Sequence, residues 1–266
     1  MGRAGFACAP HFIVSYDGKG DSTMKTFIKA SVLVFAFFFL AGFDYVKSGK
    51  TFKDKGDLDG AIAEYTLGIK ADPTNADAYN DRGIALAEKG DLDAAIRDFN
   101  MALILRPKNA MSFKNRGLAY YYKSNYKKAL ADFSEALKIT KDDFVLYNSR
   151  GMIYLILKDY DKAVKDFDIA IKLNPIFSDA YVNRGSAYLR KKSRDRAIAD
   201  YTKAISLNPS NSNAYYNRGL VYNELGKYDY ATWDISQAVR LDPRRNKDSL
   251  YLELLKRGAK AVEPPK

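Results

Sequence analysis

Glycine recurs every 34 residues from residue 49 onward, at Gly49, Gly83, Gly117, Gly151, Gly185 and Gly219. Alanine keeps the same register at Ala61, Ala95, Ala129, Ala163, Ala197 and Ala231, and aromatic residues keep it at Tyr45, Tyr79, Phe113, Tyr147, Tyr181 and Tyr215. Proline follows at Pro73, Pro107, Pro175, Pro209 and Pro243, with Lys141 standing in the one gap. Six units fit end to end: 42–75, 76–109, 110–143, 144–177, 178–211 and 212–245. A fixed period of this length restricts the chain to an array of like units, each burying its apolar face on its neighbours.

Each unit reads as two helices. In the second unit, Tyr79, Gly83 and Leu86 form one apolar stripe of a helix over 76–89. Gly90 supplies a left-handed end, and Asp91 is an N-cap for the helix that follows. Asp57, Asn125, Asp159 and Ser193 take the same cap position elsewhere, whereas the last unit has Lys227 and a weaker start. The second helix carries Ile96, Phe99, Ala102 and Leu103 on one face and stops before Pro107, which cannot continue it. Gly83 and Ala95 let the two backbones approach, with Tyr79 and Phe99 filling the space around them.

The order Tyr79, Gly83, Leu86, Ala95, Phe99, Ala102, Pro107 resembles the tetratricopeptide repeat, and the resemblance covers residues 42–245. It implies an all-α fold, a right-handed α-solenoid of six antiparallel helix pairs, and a protein-binding role without a named partner. Asp248 to Lys260 reads as one further helix, with Leu250, Tyr251, Leu254 and Leu255 placed to cap the last unit.

Five arginines, Arg82, Arg116, Arg150, Arg184 and Arg218, precede the repeat glycines. They could form a track for phosphates or acidic peptides. Asp98, Asp132, Asp166, Asp200 and Asp234, however, each lie sixteen residues further on, opposite the arginine of their own unit in an antiparallel pair. The first unit breaks both patterns together, with Ser48 and Glu64. Ion pairing within each unit is therefore the favoured reading.

In the resembled family the inner surface is formed by the second, fifth, ninth and twelfth residues of each unit. Here that implies a partner-binding groove of Lys114, Leu118, Tyr121, Asn148, Met152, Leu155, Val182, Leu189 and Tyr216. Its apolar and aromatic character suits a helix or an extended peptide, though some of these residues could instead pack between units. One subtype clamps chaperone carboxylates with Lys and Asn. Lys114 matches its first element, but Leu118 and Asp179 occupy the next positions, which speaks against such a clamp.

The formal net charge is +11. Units one and two each sum to −1, and units three, four and five to +3, +1 and +4. The densest basic patch is Arg190, Lys191, Lys192, Arg194 and Arg196, at the turn of unit five. It could meet an anionic polymer or membrane surface, or be a solvated turn; nucleic acid is disfavoured if the chain is exported.

His11 and Cys8 are the one histidine and one cysteine. Residues from 12 onward therefore hold no Ser-His-Asp or Cys-His machinery, no His/Cys metal site and no disulfide. There is no phosphate-binding glycine loop, and the 32 carboxylates fall mostly on cap, arginine-pair or surface positions. These features point to a non-enzymatic protein with no cofactor and no metal.

Met24-Lys25-Thr26-Phe27-Ile28-Lys29 precedes fourteen uncharged residues, Ala30 to Phe43. Residues 24–42 thus read as a signal peptide, with a membrane anchor as the alternative; a helix of fourteen residues would reach only about 21 Å. Residues 1–23 read as disordered or as an over-extended start. The resulting expectation is an exported adaptor for a protein or peptide. The alternatives are a self-associating assembly protein and a binder of anionic surfaces through unit five.

Overall fold

A computed structural model of the chain describes residues 44–247, 249–257 and 260–265. The segments 1–23 and 24–42 lie outside the described residues. Regular structure among the described residues is entirely helical, and the chain divides into two compact parts, up to residue 74 and from residue 75.

The first part holds one helix pair, α1 over 44–54 and α2 (Leu58–Ala71). The second holds five: α3 (Ala76–Lys89) with α4 (Leu92–Leu105), α5 (Ala110–Tyr122) with α6 (Tyr126–Ile139), and α7 (Phe144–Ile156) with α8 (Tyr160–Leu173). The array continues with α9 (Ser178–Arg190) and α10 (Arg194–Leu207), then α11 (Ser212–Glu224) and α12 (Tyr228–Leu241). A 3₁₀ turn (Pro243–Lys247) and α13 (Ser249–Lys256) complete it. In this second part each helix packs on the next, so an α-solenoid grows by repetition.

Local chemistry starts and stops these helices in register. Asn75, Asn109, Asp143 and Asn211 cap the first helices of their repeats by accepting from backbone N–H groups one turn on. Phe177 cannot do so and instead sets its ring edge-on to Phe144, 5.0 Å between centroids. Asp57, Asp91, Asn125 and Asp159 cap the second helices. Ser193 corrects the sequence reading, because its hydroxyl makes no cap bond. Lys227 makes none either, yet α12 has the same fourteen residues as its counterparts. A side-chain cap is therefore not required for α12 to begin in register.

The turn inside each pair needs one left-handed residue. Gly56, Gly90 and Gly226 take it at φ 81°, 96° and 71°, but Ser124, Lys158 and Lys192 take it in the middle repeats at φ 57°, 62° and 61°. α6 ends at Ile139 although Lys141 replaces the usual proline, so a proline is not required to end the second helix of that repeat.

A close backbone approach holds each pair. A Cβ added to Gly151 would lie 2.6 Å from the Phe167 ring, and the same conflict recurs at Gly83 with Phe99 and Gly117 with Phe133. Phe99, Phe133 and Phe167 are buried, as are the alanines Ala95, Ala129, Ala163, Ala197 and Ala231 facing the crossings. The arginines are engaged as ion pairs. Arg82, Arg116, Arg150, Arg184 and Arg218 each donate Nε and Nη2 to the two carboxylate oxygens of the aspartate sixteen residues on, at 2.6–2.9 Å.

Nη1 reaches back into the preceding repeat, to Asn100 from Arg116, Ser134 from Arg150, Asp168 from Arg184 and Thr202 from Arg218. The guanidiniums of Arg116, Arg150, Arg184 and Arg218 therefore each tie their own pair and join two repeats. The bonds to these aspartates raise the basicity of Arg82, Arg116, Arg150 and Arg184 and keep them charged.

At the C-terminal end α13 buries Leu254 among Tyr222, Ala231 and Ile235, with Leu250 and Tyr251 partly covered. The helix is shorter than the sequence predicts, ending at Lys256, and Leu255 faces outward, half exposed. Further on, the backbone N–H of Lys260 donates to the Asp229 carboxylate of α12 at 2.9 Å.

Candidate functional site: the face of the first helices

In the second part, first helices touch their counterparts in neighbouring repeats: α3 with α5, α7 with α9, and α9 with α11. No pair of second helices comes comparably close among the described residues. The first helices thus line the tighter side of the array.

The predicted groove residues divide into three groups. Leu118, Tyr121, Met152, Leu155 and Leu189 are half-buried and supply the apolar surface. Asn148 and Val182 are withdrawn, at 7% and 9% exposure, and Asn148 accepts from Asn183 of the next repeat at 2.9 Å. An equivalent bridge runs from Asn115 to Asn80 at 3.1 Å, so these amides join repeats. Lys114 pairs with Asp143 at 3.0 Å, and Tyr216 lies under the Arg245 guanidinium, 4.5 Å from its centroid.

The most accessible apolar residues on these helices are ones the sequence reading passed over. Tyr122 is 71% exposed, Met111 55%, Ile156 41% and Val145 38%, all on α5 and α7. Exposed large apolar groups clustered on one face mark an interaction surface more often than isolated ones do.

Two hollows open beside Tyr122. One, of about 500 Å³, is lined by Ile84, Ala87, Leu92, Phe99, Leu118 and Tyr122 among others, with Glu88 as its one charged side chain. The other, of about 180 Å³, is lined by Leu118, Tyr121, Tyr122, Phe133, Ser149 and Met152. All six residues of the second stand 34 positions after residues of the first, so both are the same place in successive repeats. Tyr121 stands where Ala87 does. That register difference was readable in the sequence, where Leu155 and Leu189 continue the row.

The basic patch is partly neutralised. Lys191 pairs with Asp161, Arg194 with Glu224 at 3.1 Å, and Arg196 lies 5.6 Å from the centroid of the Tyr188 ring. Arg190 and Lys192 are exposed at the same turn. Among the described residues no cluster of His, Cys, Asp and Glu could hold a metal ion, and no helix is long and apolar enough to cross a membrane.

Comparison with known proteins agrees with this architecture. Family models described as "Tetratricopeptide repeat" match residues 76–109, 110–143, 144–177 and 212–245, and one described as "TPR repeat" matches 49–90 and 194–226. No curated protein matches in sequence. Among solved structures, MamA is 26% identical over 64% of this chain and 93% of its own, with a TM-score of 0.59. YrrB, described as "a TPR protein with an unusual peptide-binding site", is 22% identical over 72% of this chain and 97% of its own, with a TM-score of 0.59. PilF of Pseudomonas aeruginosa is 19% identical over 82% and 97%, with a TM-score of 0.70. At those identities the last two speak for the fold alone.

Proposed function

The chain belongs to the tetratricopeptide repeat family, and from that premise we propose that it is a non-enzymatic scaffold holding a protein or peptide segment on the face of its first helices. Proteins built of these repeats generally serve as interaction scaffolds. The observation that carries the reading for this chain is the exposed apolar set Met111, Tyr122, Val145 and Ile156 on α5 and α7, of which Tyr122 lines both hollows. Apolar anchors of a partner would remove that row from water, at roughly 25 cal/mol per Å² covered. Isolation of the tagged protein with its partner tests this. Met111→Asp with Ile156→Asp should abolish co-isolation while leaving the helical content intact, and retention of the partner would refute the groove.

Export completes the proposal. The basic stretch around Lys25 and Lys29 followed by an uncharged run supports a signal peptide over 24–42. Mass spectrometry of the protein from its native cell should find a mass lacking those residues; an intact mass would leave the segment as an anchor.

A further inference from the structure

The turns inside the helix pairs stand side by side along one edge of the array. Three ion pairs cross between neighbouring turns: Lys123 with Asp93 at 2.5 Å, Arg194 with Glu224 at 3.1 Å, and Lys191 with Asp161. In units three to five these turns, residues 122–128, 156–162 and 190–196, hold ten cationic side chains against three acidic ones. The turns that follow each of those units at the other edge, 140–143, 174–177 and 208–211, hold one cation and two carboxylates. The basic charge is concentrated on one edge.

The pairing across turns lapses between units three and four. Lys127 stands midway in register between Asp93 and Asp161, and Leu157 midway between Lys123 and Lys191, 34 residues from each. An exposed lysine and a leucine 48% exposed thus take the places of an ion pair. Leu225, 40% exposed, holds the leucine register again in unit six. Lys158 and Lys192 are exposed and, like Lys127, make no ion pair among the described residues. Both adopt the left-handed conformation, φ 62° and 61°, where Gly56, Gly90 and Gly226 form the same turn at no steric cost. A lysine there costs the fold something, which points to a use outside the turn.

We infer that this edge docks the array on an anionic phospholipid surface, with Lys127, Lys158 and Lys192 on the headgroup phosphates and Leu157 and Leu225 entering the interface. It is a second surface, distinct from the groove. Charge complementarity sets the sign of the occupant. The two leucines set its kind, because a bilayer offers an apolar boundary just beneath its charges and a soluble polyanion does not. Nucleic acid also finds its stacking platforms taken: Tyr120, Tyr154 and Tyr188 lie against Lys128, Lys162 and Arg196, 5.2–5.6 Å from the ring centroids.

The experiment attaches NBD, a fluorophore that brightens in an apolar interface, to the full chain at Ser124→Cys on this edge or at Ser210→Cys on the other, both exposed positions, with Cys8→Ser in each. On vesicles of mixed phosphatidylglycerol and phosphatidylcholine the probe at 124 should brighten and the probe at 210 should not. Pure phosphatidylcholine should change neither. Reading the edge locally separates it from any binding by residues 24–42. Lys127→Glu with Lys158→Glu and Lys192→Glu should weaken vesicle affinity at least about tenfold, and the corresponding three arginines should preserve it. Lys158→Gly with Lys192→Gly removes two charges while easing both turns, so it should bind more weakly with an undiminished denaturation midpoint. No response at 124, equal responses at 124 and 210, a response to phosphatidylcholine alone, or affinity unchanged in the glutamate variant would overturn the inference. Tighter binding of single-stranded RNA or polyglutamate than of the vesicles at position 124 would also overturn it.

Discussion

Arg218 grips Asp234 sixteen residues further along the chain, with Nε and Nη2 each 2.8 Å from a carboxylate oxygen, and the aspartate is wholly buried. The third nitrogen reaches Thr202 of the preceding repeat at 2.9 Å. This is the most enclosed copy of a contact that repeats along the array, and removing one partner leaves a charge in the interior. Arg218→Ala should cost about 3–5 kcal/mol in denaturant unfolding. Lys138→Ala, which breaks an exposed pair with Glu135, should cost under about 1 kcal/mol. Equal costs would contradict the distinction.

The same burial sets a pH dependence. Loss of hydration pushes the Asp234 carboxyl up to about 6, against the opposing bonds from Arg218. Folding then binds the proton more tightly than the unfolded chain does. The contribution of this group is fully present below its ordinary value of 3.8 and is lost as pH rises through about 6. The stability of the parent relative to Asp234→Asn should fall across that window; a rise would show that Arg218 dominates.

A side chain at Gly151 has no room. Exposed helical Gly→Ala changes usually stabilise by up to about 1 kcal/mol, but here the new Cβ meets the Phe167 ring at 2.6 Å. Gly151→Ala should therefore destabilise, and Gly151→Leu should cost about 1–3 kcal/mol or more. An unchanged denaturation midpoint for the leucine variant would refute the close packing.

Lys158 holds a left-handed conformation, φ 62°, at the register where other repeats use Gly56, Gly90 and Gly226. Relieving the Cβ conflict by Lys158→Gly should stabilise the protein by about 0.5–1 kcal/mol, the steric cost of that conformation outweighing the added chain freedom. The reverse change, Gly90→Lys, should destabilise by a similar amount. Thermal or denaturant midpoints moving the opposite way would rule this out.

Much of this architecture was legible because it recurs. The helix pairs, the caps at Asp91 and Asp159, and the sixteen-residue spacing of Arg and Asp follow from residue types repeated in register. Single departures from the pattern were harder to weigh. Ser193 has the chemistry of a cap but does not act as one, and the strained turns at Ser124, Lys158 and Lys192 carry no glycine to announce them.

The candidate site was the least legible part. Family positions implied Asn148 and Val182, yet both are buried between repeats, because amide bridges and packing use the same helix face that a ligand would. Ala87 escaped notice for the opposite reason: a small residue draws attention only once the space around it is known.

The central claim, that a partner lies along the first helices, is tested most directly by site-specific photo-cross-linking in the native cell. A benzophenone amino acid placed at Tyr122, beside both hollows, should give a covalent adduct with a partner protein, and the adduct should vanish when Met111→Asp and Ile156→Asp are added. The same probe at exposed Lys165 on α8 should give none. Adducts from Lys165 but not Tyr122, or from Tyr122 only to a second copy of this chain, would contradict the account.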